Sequence, residues 1–274
     1  MGSFRLNKYS FAFAGGQILG ARKSQQDMYG FHLSVDKNTI TCLLADGMGG
    51  HASGEVAAEL AVQVFLKPIR EPDGPDSQEF MRLLDTANRA LQHDVSQFPE
   101  HEGMGCTLVA LEVNRNVVSW ISVGDSPLYL ASDTGLVRLN ADHSMGWQLD
   151  AAAERGEITF EEAKNSSSRN VLTSALTGDP IRRVDQVIAG RHLVHGEWLI
   201  LASDGLDTLS SAEISSIVKT EGERGAEVLL ASLLAAIEKQ ARPTQDNVTI
   251  CLISLKEIQF EDDKVVTRPI ALTH

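Results

Sequence analysis

Positive charge is in short supply in this chain. Its 274 residues hold 24 Lys and Arg against 37 Asp and Glu, a formal net charge of −13. A nucleic-acid binder shows a basic stripe, so the balance argues against that class. Cysteine is scarce as well. Cys42, Cys106 and Cys251 each lie in or beside an apolar run, and no CxxC spacing occurs. That disfavours a zinc or redox centre and points to three reduced, mostly buried thiols. Long apolar runs are missing: none approaches the roughly 18 residues of a spanning helix, and the first residues lack the apolar core of a signal peptide. A soluble cytoplasmic monomer, with neither membrane nor nucleic acid as partner, is the expectation.

What is present is enough apolar sequence, 43%, for a large core. Apolar runs rich in β-branched residues predict strands at Tyr9–Ala14, Tyr29–Val35, Thr39–Ala45, Thr107–Val113, Val117–Val123, Leu128–Ser132, Arg183–Ala189, Trp198–Ala202 and Val248–Leu255. Short turn signals such as Asn114–Asn116 and Asp133–Gly135 make antiparallel neighbours the expected pairing. Helical periodicity follows Ser53, with Val56, Ala57, Leu60, Ala61, Val64 and Phe65 on one face and Pro68 expected to close the helix. Further helices are predicted over Ser77–Val95, Ser211–Val218 and Ala226–Gln240. Met145–Asn170 is helix-prone but polar, an excursion from the core. Strands and helix pairs alternate in the order expected of an α+β fold. Two mainly antiparallel sheets pack face to face with helix pairs outside, in one domain spanning residues 1–274.

Four acids share one grammar. Asp46 ends the apolar run "CLLAD", Asp125 ends "SWISVGD", Asp204 ends "WLILASD", and Asp246 stands just before "NVTICLIS". Each alone reads as a turn residue, because Asp-Gly and Asp-Ser are common turn dipeptides. Four together predict carboxylates converging at one edge of the sandwich, where they could not all stay ionised without cations. The candidate donors are all oxygen, with no His or Cys pair at ligand spacing beside them. This selects Mg²⁺ or Mn²⁺. Two such ions a few Å apart can activate a water for in-line attack on phosphorus. In "GARKSQQDMYG", Arg22 is a candidate phosphate clamp and Asp27 a fifth acid, although this loop alone reads as a solvated turn.

Eight pieces in order resemble the metal-dependent Ser/Thr protein phosphatases of the PPM (type 2C) family, in their bacterial form. They are "RKSQQD", "ADGMGGHASGEVAA", "GCTLVAL", "VGDSPLYL", "ADHS", "LTSALTG", "LASDGL" and "QDNVTI", and they span nearly the whole chain. The resemblance implies a four-layer α/β/β/α sandwich and hydrolysis of phosphoserine or phosphothreonine in proteins, opposing a Ser/Thr kinase in bacterial signalling. It implies that Asp46 bridges two Mn²⁺ or Mg²⁺ ions. The Gly47 carbonyl would bind the second, Asp204 and Asp246 would complete the first, and Asp125 with Asp204 would hold a third. Arg22 would bind the substrate phosphate, Asp27 would reach a metal through water, and residues 145–170 would form a flap. Departures are also visible. Gln25-Gln26 stands where the family often has Glu or Asn-Glu/Gln before the acid at Asp27, and neutral Gln26 would hold a metal-bound water more weakly than Glu. Met48 takes the place of a His, leaving His51 as the candidate general acid. Pro127 replaces an Arg in "GDSP", so a salt bridge is not expected there; His143 is assigned a structural role. A pseudophosphatase that binds phosphoproteins without turnover is the alternative. A metal nuclease shares the ions but suits the acidic balance poorly.

Overall fold

The computed structural model describes residues 9–49 and 53–257. Eleven strands are defined: β1 (Tyr9–Ile18), β2 (Asp27–Ser34), β3 (Thr39–Met48), β4 (Gly105–Cys106), β5 (Leu108–Asn114), β6 (Val117–Val123), β7 (Leu128–Ser132), β8 (Gly135–Arg138), β9 (Asp185–His192), β10 (Trp198–Ala202) and β11 (Val248–Glu257). The helices are α1 (Ser53–Ile69), α2 (Phe80–Gln97), α3 (Gly146–Glu154), α4 (Phe160–Asn165), α5 (Ser211–Glu221) and α6 (Ala226–Lys239). One sheet has the order β1-β11-β10-β7-β8. The other has the order β2-β3-β5-β6-β9, with β4 paired to β3. Every pairing in both sheets is antiparallel.

Alternation along the strands builds three apolar layers. On β3, Ile40, Cys42 and Leu44 meet Cys251, Ile253 and Leu255 of β11 between the sheets, while Leu43 and Ala45 face α1 and α2. On β11, Ile250 and Leu252 point the other way, under α5 and α6. Both faces of these strands are buried, so their sequences read as unbroken apolar runs rather than alternating ones. Fully burying one such leucine contributes about 1.5–3 kcal/mol. The layers α1/α2, sheet, sheet, α5/α6 form the α/β/β/α sandwich.

Several boundaries differ from expectation, each for a physical reason. Pro68 does not close α1 but lies in its last turn, which ends at Ile69. β1 runs past Ala14 through Gly15 and Gly16 to Ile18. A Cβ on Gly15 would lie 2.4 Å from the Tyr29 ring, so a glycine that looks like a strand end is a packing requirement. β9 covers Asp185–His192 instead of Arg183–Ala189. Arg183 is engaged by Ser174, and a register shift opposite Val118 and Trp120 carries the strand through Ala189 at φ 51°. Residues 145–170 form the small α3–α4 excursion, closed by two hydrogen bonds from Arg169 to Asp150.

Candidate active site

The layer between the sheets runs out of apolar side chains at one edge. β3 does not end at Ala45. It continues through Asp46 to Met48, because Asp27 of β2 pairs beside Asp46 and β4 pairs beside Gly47 and Met48. Asp46 and Asp27 thus lie side by side on the inter-sheet face. The Asp27 carboxylate is buried and accepts from the Thr249 and Ser203 hydroxyls at 2.7 and 2.8 Å. Asp46 is held through its backbone by Thr107: the Thr107 hydroxyl accepts from the Asp46 N–H at 3.0 Å, and the Thr107 N–H donates to the Asp46 carbonyl at 2.9 Å. Gly47 is required by close approach, since a Cβ there would meet the Gly54 carbonyl oxygen at 2.1 Å.

Asp125 follows β6, Asp204 follows β10 and Asp246 precedes β11, so all three loops open at this same edge. Asp46, Gly47, Asp125, Asp204, Asp246 and Arg22 line one cleft of about 710 Å³. Asp27 does not line it; it lies buried beside Asp46 on the neighbouring strand. Arg22 is already engaged, its Nη2 donating to Asp246 Oδ2 at 2.6 Å with both side chains partly exposed. His51, the candidate acid, lies outside the described residues.

Crowding sets the electrostatics. Burial, and after it the charges of Asp27, Asp204, Asp125 and Asp246, hold the Asp46 carboxyl well above the usual carboxylate range. Asp204 is pushed up to about 7, first by burial and then by Asp125, Asp246 and Asp27. Asp125 is pushed up to about 6 by burial and by Asp142. Burial and mutual repulsion penalise the charged forms of these carboxyls, and an oxygen-only donor set fits a hard divalent ion that would offset both. Among the described residues no three His, Cys, Asp or Glu side chains are arranged to hold an ion unaided. Backbone carbonyls and water would have to complete the shell, as Mg²⁺ in particular tolerates.

Several residues that shape the cleft carry no signal along the chain. Asn247 is buried; its Oδ1 accepts from the Gln26 N–H, and its Nδ2 donates to the Leu19 and Ser24 carbonyls, pinning the Arg22 loop. Consistent with Pro127, no salt bridge to the Asp125 carboxylate is found among the described residues, but a guanidinium reaches the backbone of its loop from Arg138 on β8. Its Nη2 donates to the Asp125 carbonyl at 2.7 Å, and its Nη1 pairs with Asp142 at 3.1 Å. His143 does hold structure: its Nδ1 accepts from the Gly124 N–H, next to Asp125, and burial lowers its pKa. Met48 lines the cleft where the resemblance places a His. All three thiols are buried and free.

A family model described as protein phosphatase 2C matches residues 15–245. The chain belongs to the protein phosphatase 2C family. Among its relatives is the serine/threonine protein phosphatase PstP of Mycobacterium tuberculosis, 34% identical over 174 residues. That match covers 62% of this chain and 32% of PstP, so it spans about a third of that relative. The serine/threonine phosphatase stp of Listeria innocua is 29% identical over 246 residues, 87% of this chain and 93% of stp. A solved structure of the catalytic domain of PstP in complex with two manganese ions superposes with a TM-score of 0.70 at 27% identity, covering 89% of this chain and 98% of that one. The four-layer arrangement of this phosphatase 2C chain is that of these neighbours.

Proposed function

We propose that this protein hydrolyses phosphoserine and phosphothreonine in proteins, using Mn²⁺ or Mg²⁺ held by Asp46, the Gly47 carbonyl, Asp204 and Asp246, with a third ion at Asp125 and Asp204. The observation that carries the reading is the convergence of those carboxylates and Arg22 in one cleft. Family membership and the two manganese ions of the PstP structure support it. The substrates are proteins phosphorylated by a Ser/Thr kinase that this enzyme opposes in bacterial signalling. Among the described residues no helix is long and apolar enough to cross a membrane.

When bound, the ions supply Lewis-acid charge to the phosphoryl oxygens and a water acidified for attack. The chain's own residues do the rest. Arg22, already poised over Asp246, swings its donor fork onto the phosphate oxygens and orients phosphorus for in-line displacement. Asp27, fixed by Ser203 and Thr249, keeps Asp46 in place. As the bond from phosphorus to the serine or threonine oxygen breaks, that oxygen needs a proton, and His51 is the candidate donor. Inorganic phosphate and the free hydroxyl are the products.

Phosphothreonine-peptide hydrolysis, followed as released phosphate in Mn²⁺ and after chelation, tests this reading. Turnover in Mn²⁺ that vanishes on chelation is expected. Peptide binding without phosphate release would instead identify a pseudophosphatase.

A further inference from the structure

One wall of the cleft is the segment running from Asn170 to Arg182. It is held rigidly. Asn88 receives the Thr177 and Gly178 N–H groups and donates to the Asp179 carbonyl, and Leu176 and Cys106 exchange backbone hydrogen bonds. At its far end the Ser174 hydroxyl donates to the Arg183 carbonyl at 2.8 Å and accepts from the Arg183 N–H at 3.0 Å. Arg183 itself is spent on Trp147, its guanidinium lying 5.3 Å from the ring centroid. Arg182 is left over. It lines both the cleft and the adjoining hollow of about 690 Å³ beside Trp147 and His143. Its side chain is exposed, and among the described residues it has no hydrogen-bond or ion-pair partner. Asp179 on the same wall is not paired with it, and the other guanidinium lining the cleft, that of Arg22, is on Asp246.

A peptide whose phosphate reaches the carboxylate edge has to lay its neighbouring residues across this rim. The chain's net charge of −13 gives acidic peptides no general attraction to it, so a local cation at the rim has to supply one. We propose that Arg182 is a specificity-determining residue, selecting phosphoproteins that carry an anionic side chain, a carboxylate or a second phosphate, beside the phosphoresidue. The proposal rests on the phosphatase reading above. The Ser174 hydrogen bonds to Arg183 fix the backbone beside Arg182, so binding orders only the arginine side chain and not the rim that carries it.

The test compares kcat/KM in Mn²⁺ for phosphothreonine peptides with neutral flanks, with one aspartate at each flanking position in turn, and with a second phosphothreonine. Wild type, Arg182→Ala and Arg182→Glu are assayed in parallel. The readout is the ratio of acidic to neutral peptide within each variant, which is independent of how much of a variant folds. Wild type is expected to favour at least one acidic peptide by about 1.5- to fivefold, the range of a partly exposed ion pair. The ratio should shrink as salt rises, approach one in Arg182→Ala and invert in Arg182→Glu. The aspartate and second-phosphate arms identify which anion is read. A wild type that hydrolyses every peptide equally, or an Arg182→Ala variant that keeps the preference, overturns the proposal and leaves the phosphatase reading standing. Absence of hydrolysis of every peptide in Mn²⁺ overturns the phosphatase reading and this proposal with it.

Discussion

Two groups at the cleft do different jobs, and single substitutions separate them. Asp46 sits at the centre of the carboxylate cluster, whereas Arg22 reaches it from an exposed loop. Even outer-shell partners of a metal typically cost 10–100-fold when removed. Asp46→Asn should therefore lower kcat/KM by more than about 100-fold while the fold persists. Arg22→Ala should act chiefly on KM, raising it about tenfold or more, the scale of a lost charge-assisted hydrogen bond. Steady-state kinetics on a phosphopeptide, with circular dichroism as the folding control, checks both; an unchanged KM would return Arg22 to a surface role. At this scale the sequence was legible where chemistry and local grammar coincide. Asp46, Asp125, Asp204 and Asp246 each follow or precede an apolar run, and the structure puts all four in one cleft. Asn247, Arg138 and Thr107 escaped because their roles are set by partners distant in sequence. Asn247 reaches Ser24, and Thr107 reaches Asp46, through contacts that no periodicity announces.

Secondary-structure elements were readable in type and less so in extent. The apolar runs of β3 and β11 identified strands buried on both faces. Where those strands stopped was decided by tertiary pairing: β2 and β4 carry β3 past Asp46, which a local reading placed at its end. The wall from Asn170 to Arg182 has no regular pattern, and only the resemblance of "LTSALTG" within it marked it in the sequence. Its order comes from Asn88 on α2, a polar residue facing inward among apolar neighbours. Three hydrogen bonds, each contributing about 0.5–1.5 kcal/mol net, make that side chain the clamp of the wall. Asn88→Ala should lower stability by about 1–3 kcal/mol and raise KM for peptides more than for a small aryl phosphate that does not touch the wall. Denaturant unfolding and a two-substrate comparison check this. Equal effects on both substrates would make Asn88 merely structural.

The whole molecule has to house mutually repelling carboxyls where its two sheets meet. In the unfolded chain Asp204 and Asp125 titrate near 4, but in the folded protein they stand at about 7 and about 6. Asp46, Asp27 and Glu112 are raised as well, each first by burial. Between about pH 4 and 7 the metal-free fold thus holds protons that the unfolded chain has released, and its stability falls as pH rises. His143 and His32, lowered by burial, pull the other way near their ordinary value, but they are fewer. The lowered carboxyls of Asp150, Glu157, Glu162 and Glu213 act below this window. Thermal unfolding in chelator should show a falling Tm across the window, and Mn²⁺ should abolish the fall by replacing the protons; a Tm that is flat or rising in chelator would contradict the crowding argument. The sandwich architecture and the acidic edge were both open to sequence reading, because layer order follows from element order and the acids mark the strand ends. The proposed chemistry stands on this edge being a divalent-cation centre. Anomalous diffraction from a crystal grown in saturating Mn²⁺ tests it most directly. Manganese peaks are expected against the carboxylates of Asp46, Asp204 and Asp246, with a weaker one at Asp125. An edge empty of manganese, or peaks only elsewhere on the surface, would contradict it.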